Sequence, residues 1–211
     1  MANVNWKAAL KPLLEKYRGR KHPLDYANNY QLIVVVVLSA RDSDKHINKI
    51  SPDFFAKFPA MAALSKAGFD DILPLLPGVP SAKIKTGSLM EIARTVKTDA
   101  AIPLTMEGLV ALKGIGRKSA NVIMSQAGVP AEGVIVDLHT LRVAPRIGLA
   151  QGKVPDKIEK QLMETVPAKD WHALGMSLSY LGREICRPTK PHCPECPMKD
   201  VCEYTKTLAA S

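Results

Sequence analysis

Two residues of this chain, Lys118 and Asp137, have the setting and spacing for chemistry on a phosphate-bearing substrate. Lys118 lies in Leu112-Lys113-Gly114-Ile115-Gly116-Arg117-Lys118-Ser119-Ala120-Asn121-Val122. The glycines at 114 and 116 allow a tight or left-handed turn and let backbone N–H groups approach a phosphate closely. Lys118 then falls near the start of a helix, off its apolar stripe. The positive end of the helix dipole and the neighbouring Arg117 both disfavour a cation there, which pushes a lysine toward the neutral, nucleophilic amine. Asp137 follows nineteen positions later in Val136-Asp137-Leu138-His139. Its carboxylate either serves chemistry or caps a helix opened by Leu138-His139-Thr140, and the two roles are compatible. Taken alone, a Gly-x-Gly turn between packed helices with a solvated lysine would read the same way.

The thiols form a second group, Cys186-x6-Cys193-x2-Cys196-x5-Cys202, with all four cysteines inside seventeen residues. With no secretory signal in the sequence, such a cluster reads as a metal site rather than two disulfides. Structural zinc sites present two C-x2-C-like pairs, whereas only one pair occurs here and the outer cysteines are spread away from it. The spacing favours four thiolates on a 4Fe-4S cluster.

The elements that must position these groups read as helices. Ala120, Ile123, Met124 and Ala127 form a stripe that Gly128 and Pro130 end, and Leu109 with Leu112 closes a shorter helix before the hairpin. Trp6, Leu10, Leu13 and Tyr17 share one helical face, with Pro12 bending or beginning the helix and Arg18-Gly19-Arg20 breaking it. By propensity the run Leu32-Ile33-Val34-Val35-Val36-Val37-Leu38 is a buried strand. Between Asp42 and Ala101, prolines at 52, 59, 74, 77 and 80 punctuate short helices, and Ser81 can cap one whose stripe is Leu89, Ile92, Ala93 and Val96. Further helices are expected over 155–165 and 170–181, the latter stopped by Gly182. No stretch approaches the ~18 apolar residues of a membrane span, so a cytoplasmic, nucleoid-associated protein is expected. The balance of 29 Lys+Arg against 20 Asp+Glu gives +9 and a pI near 9.4, which suits a polyanion. Aromatics at 5% argue against a single-strand binder built on stacking platforms.

LKGIGRKSANVI followed by VDLHTLRV resembles the helix-hairpin-helix and Gly/Pro-Asp segment of DNA glycosylases of the endonuclease III family. The x6-x2-x5 cysteine spacing matches that family's cluster loop without a gap. Leu38-Ser39-Ala40-Arg41 is similar to its Leu-Ser-Ala-Gln element, and on that match the valine run is taken as a fully buried helix. The resemblance spans about residues 22 to 206.

The resemblance implies an all-α, two-domain fold: a six-helix domain over 22–131 and an iron-sulfur cluster domain made of 1–21 and 132–211. It implies a monomer acting on double-stranded DNA with damaged bases or abasic sites, the nucleotide being flipped into a cleft. The expected activity is removal of oxidised pyrimidines with strand cleavage by β-elimination. Lys118 would be the nucleophile, and Asp137 would stabilise the oxocarbenium-like sugar. Cys186, Cys193, Cys196 and Cys202 would hold the cluster. DNA contacts are expected from Arg41, Val79 as the wedge, Lys113, Gly114, Gly116, Arg117, His139, Arg187 and Lys190. A bland turn around Val79, and an Arg41 that merely contacts phosphate or pairs with Asp42 or Asp44, remain open. Four departures stand out: Arg41 replaces a glutamine, Val79-Pro80 a larger wedge and its neighbour, and Leu181 a histidine. The Lys118–Asp137 spacing is also one residue longer. A monofunctional glycosylase for mismatched or alkylated bases and a non-catalytic DNA-binding module are the competing readings.

Overall fold

The computed structural model describes residues 4–209, and every regular element among them is helical. The chain forms two compact units, Lys21–Val129 and Met1–Arg20 with Pro130–Ser211. The N-terminal face forms two short helices, α1 (Trp6–Ala9) and α2 (Lys11–Lys16), with Leu10 ending one and opening the other. Pro12 stands in the first turn of α2, where its missing N–H costs nothing. Leu10, Leu13 and Tyr17 are buried in the core of their unit. Gly19, at φ +67°, turns the chain away, and Arg20 stacks 4.5 Å from the Tyr180 ring while pairing with Glu184.

The unit Lys21–Val129 is organised around α3 (Asn29–Leu38), the valine run. Tyr30 and every residue from Leu32 to Leu38 are buried, which explains why propensity loses. Valine costs a helix about 0.5 kcal/mol relative to alanine. Burying each side chain returns about 1.5–3 kcal/mol, and a helix packed on all sides collects that on every face. Asn28 caps it, accepting from Gln31 N at 2.9 Å. Around it lie α4 (Asp44–Lys57), α5 (Met61–Leu64), α6 (Phe69–Ile72), α7 (Ala82–Val96), α8 (Met106–Val110) and α9 (Arg117–Gln126). Two of these seven segments, α5 and α6, are single turns of four residues. Lys85 is the buried charge of this unit, its Nζ donating to Leu38 O and Ala40 O at 2.7 Å each. Burial lowers its pKa, with Asp42 opposing. It satisfies the end of α3 and steadies the turn that leads into Arg41, itself at φ +61°.

Three local expectations fail here. Pro52 lies inside α4 and does not interrupt it, because Ile47, Ile50, Ser51 and Phe54 bury the turns on both sides of the lost hydrogen bond. Ser81 precedes α7 in a left-handed conformation, φ +56°, and makes no side-chain cap. Val79, expected as an exposed wedge, is only 5% exposed, and Pro77, Gly78, Pro80 and Ser81 are the exposed members of its loop. An apolar side chain joins the core when it can, so this residue is not displayed for insertion.

The other unit continues with α10 (Leu138–Ile147), α11 (Pro155–Thr165), α12 (Trp171–Glu184) and α13 (Glu203–Ala209). Ile158 and Leu162 bury the face of α11, as their stripe predicts. Gly182 does not stop α12, which runs two residues beyond it. Its role is contact: a Cβ there would lie 2.7 Å from His139 Cβ and 3.0 Å from Val143 Cγ2. Gly175, two turns earlier, would place a Cβ 2.8 Å from Ile135 N. Small residues on this face let α12 press against the segment that opens α10. No helix of the described residues is long and apolar enough to cross a membrane.

Candidate active site and cysteine centre

The hairpin joins α8 to α9. Thr105 caps α8 by accepting from Gly108 N at 3.2 Å, and Leu109 and Leu112 anchor its end in the core. Gly114 takes φ +85°, a conformation that costs an L-residue about 1 kcal/mol or more, and a Cβ there would meet Ser88 Oγ at 3.2 Å. Ile115 is buried between the glycines and pins the turn. Gly116 differs from its neighbour: it is extended, φ −94°, and a Cβ would meet nothing within 4 Å. Its lack of a side chain is therefore not required by the turn. What glycine provides there is clearance, because no side chain caps α9 and its first N–H groups face an unobstructed approach. Arg117 and Lys118 are the first two residues of α9 and both are exposed. Ala120 to Met124 are buried on every face, Asn121 and Val122 one turn after Lys118 included, so Lys118 owes its exposure to its place in the first turn of the helix. Gly128, at φ +78°, ends the run. Lys113 pairs with Glu91 of α7 at 2.7 Å on the surface.

Asp137 is the N-cap of α10. Its Oδ1 accepts from His139 N at 2.9 Å and Thr140 N at 2.8 Å, and its Oδ2 accepts from Ser179 Oγ of α12 at 2.6 Å. The carboxylate is half-buried and held at both oxygens. Leu138 beside it is 78% exposed, a large apolar side chain left in solvent where the helix begins. His139 is half-buried against α12, with Arg142 Nη2 3.3 Å from Nδ1. Burial lowers its pKa, Arg183 and Arg142 add to that, and Asp137 opposes, so the ring favours its neutral form. Arg142 donates to Gly182 O at 2.9 Å and Cys186 O at 3.2 Å, tying the middle of α10 to the end of α12.

One turn further, Arg146 reaches the cysteine loop. Its Nη1 donates to Arg187 O at 2.7 Å and stands 3.7 Å from Cys186 Sγ, its Nη2 donates to Pro188 O at 3.1 Å, and its own carbonyl accepts from Cys202 Sγ at 3.5 Å. Cys186, Cys196 and Cys202 are buried and Cys193 is half-buried. Burial, with a smaller push from the other three sulfur atoms and a hydrogen bond from the Met198 backbone opposing, raises the Cys196 thiol to about 11, so Cys196 lies within electrostatic reach of the other three. Cys193 is raised by burial and then by Cys202 and Cys186. Among the described residues, no three His, Cys, Asp or Glu side chains stand together so as to hold a single metal ion. The donors of a cubane attach to four different irons and need not converge on one point. Four thiols in one small unit with a guanidinium beside them suit an anionic cluster, whose negative charge Arg146 would offset. Arg187 and Lys190 are exposed on this loop, Lys190 at φ +49°.

Sequence reasoning missed Ser179, Lys85, Arg142 and Arg146. Each acts through a partner tens of residues away, and only the period of Arg142 and Arg146 on a helix opened by Asp137 hinted that they share its face.

The sequence matches the family model of HhH-GPD superfamily base excision DNA repair proteins over residues 34–168. It is 33% identical to Endonuclease III of Synechocystis sp. over 192 residues, covering 90% of this chain and 88% of that one. The structure is similar to that of a non-covalent Endonuclease III–DNA complex, with a TM-score of 0.88 and 26% identity over 97% of both chains. It is also similar to a trapped Endonuclease III–DNA covalent intermediate, an estranged-adenine complex, with a TM-score of 0.87 and 26% identity over 96% of both chains. Members of the family generally carry a 4Fe-4S cluster. With more than half its length inside the family model and a relative at this identity over most of both chains, the protein belongs to the endonuclease III family of base excision repair DNA glycosylase/AP lyases.

Proposed function

We propose that this chain removes oxidised pyrimidines from duplex DNA and then cuts the strand at the abasic site, with Lys118 and Asp137 as the catalytic pair. The observation that carries the reading is Lys118 itself: an exposed amine on the first turn of α9, next to the glycine turn that leaves the helix start clear. A trapped covalent DNA intermediate in a solved relative requires a protein nucleophile, and an amine at this position supplies one. Its nitrogen attacks C1′ of the flipped nucleotide, and the C1′–base bond breaks with its electron pair leaving on the base. Asp137 stabilises the positive charge that develops on the sugar as that bond lengthens. The nitrogen loses its proton and its lone pair opens the C1′–O4′ bond, O4′ taking up a proton. The iminium so formed loses a proton from C2′, and those electrons expel the 3′ phosphate by β-elimination. Water then releases Lys118 from the sugar.

The hairpin N–H groups, Arg117 and Lys113 grip the backbone of the DNA, and Arg187 and Lys190 contact its phosphates from the cysteine loop. Arg41 meets the base left opposite the lesion, where a guanidinium favours guanine. Cys186, Cys193, Cys196 and Cys202 would hold a 4Fe-4S cluster in a cluster domain of 1–21 and 132–211, and residues 22–131 form a helix-hairpin-helix domain. When bound, the cluster supplies a structural cross-link of the C-terminal loop. The protein works as a monomer alongside the chromosomal DNA of the cytoplasm.

Borohydride trapping on duplex DNA carrying an oxidised pyrimidine or an abasic site tests the reading. A covalent adduct that also accompanies strand cleavage is expected. Base release without an adduct would assign a monofunctional glycosylase, and binding without either would leave only a DNA-binding module. Brown protein absorbing near ~400 nm is expected for the cluster. Colourless, folded, zinc-containing protein would refute it.

A further inference from the structure

A capping aspartate needs one oxygen for its helix and leaves the other to water. Asp137 does not. Its Oδ1 serves His139 N and Thr140 N, while Oδ2 accepts at 2.6 Å from Ser179, forty-two residues away on α12. Ser179 is only 3% exposed, so water does not compete for its hydroxyl. The direction of that bond is set by a third group. Arg183 Nε lies 3.4 Å from Ser179 Oγ and can only donate, so the single hydroxyl proton is directed at Asp137. The reach depends on small neighbours: Gly175 and Gly182 flank Ser179 on α12, and at both a Cβ would fall under 3 Å from the Asp137 segment.

We propose that Ser179 is a positioning residue for the glycosylase step, fixing the rotation of the Asp137 carboxylate and holding it ionised, with Arg183 orienting the hydroxyl. The inference rests on Asp137 being the carboxylate that stabilises the sugar cation. Hydrogen bonds to a charged group are stronger than neutral ones, and a carboxylate locked at both oxygens reorganises little when charge develops in front of it. His139 and Arg142 on α10 and Arg183 on α12 are charged or titratable groups that act on Asp137 or on its neighbour His139. Ser179→Ala leaves all three in place, so a change in the acid limb of the rate profile reports the hydroxyl.

The experiment measures single-turnover base release across pH for the full-length protein, Ser179→Ala, Asp137→Asn and the double variant, with DNA affinity and melting temperature alongside. Ser179→Ala is expected to slow release about tenfold at neutral pH and to move the acid limb to higher pH. DNA affinity should hold, and melting temperature should fall only by the few degrees that one lost hydrogen bond costs. In the Asp137→Asn background, Ser179→Ala should change nothing further. A wild-type rate and profile in Ser179→Ala, with Asp137→Asn strongly slowed, overturns the positioning role and leaves the proposed function intact. Effects that multiply in the double variant, or a loss of rate explained by a loss of DNA affinity, overturn it as well. Full base release by Asp137→Asn overturns the assignment of Asp137 and the role of Ser179 together.

Discussion

Helices α9 and α10 are each ten residues long, each carries a candidate catalytic residue at its start, and they begin in opposite ways. The first opens from Gly116 with no side-chain cap, so its N-terminal dipole and N–H groups face outward. The second opens from Asp137, whose own carboxylate fills that place. The same field thus serves two ends: where it is left exposed it suits a phosphate from outside, and where it is filled it anchors a carboxylate from within. The amine stands beside the exposed start and the anion inside the filled one, the arrangement that a nucleophile and a charge stabiliser each need.

The largest expected effect breaks the first half of that comparison. Lys118→Gln should abolish both the borohydride-trapped adduct and strand cleavage while the protein still binds DNA. Retained cleavage would move the nucleophile elsewhere. Asp137→Asn breaks the second half more selectively. Asparagine still caps α10 through its carbonyl oxygen but cannot accept from Ser179 with the atom that replaces Oδ2. The fold should survive, and base release should slow by about 2–4 kcal/mol of barrier, read as single-turnover rates against an unchanged melting temperature.

Gly116→Asp makes α9 start as α10 does. A carboxylate cap should stabilise the protein by up to about 1 kcal/mol and weaken DNA binding at least about tenfold by occupying the phosphate's place. Equal affinity in a salt titration would remove the hairpin from the interface. Gly116→Ala should leave stability unchanged, because φ is −94° and the space is open, whereas Gly114→Ala should lower it by about 1 kcal/mol or more.

Gly182→Ala tests the contact that brings Ser179 to Asp137. The added methyl group meets His139 Cβ at 2.7 Å, and an overpacked core of this kind loses about 1–3 kcal/mol, measurable by urea unfolding. The smallest effect is that of pH. Burial lowers the pKa of His172 and of His139 in the folded chain. A depressed histidine means that the unfolded chain takes up protons first, so stability is complete above the unfolded value near 6.5 and falls as pH drops toward the folded values. Melting temperature should decline from pH 7 to pH 5, and His172→Gln should flatten part of that decline.

Some of this was determined by the sequence alone, because it follows from residues within a few turns of one another. The stripe of Ala120, Ile123 and Met124 sets α9, with Lys118 in its exposed first turn. Gly114 permits the turn, Gly128 ends the helix, and Asp137 caps α10, all through contacts that span at most four residues. Tertiary structure decided the rest, because burial and long-range partners carry no signature at short spacing. The valines of α3 are helical because neighbours cover every face, and Val79 is drawn into the core instead of standing out from its loop. Gly182, which a local rule makes a helix stop, sits inside α12 because α10 passes too close for a side chain. Ser179 and Lys85 look like ordinary polar residues of amphipathic helices until the fold sets one against a carboxylate forty-two residues away and the other against the carbonyls of Leu38 and Ala40. A hydrogen bond between distant residues depends on where two helices cross, and that crossing is set by the packing of the whole unit rather than by either segment.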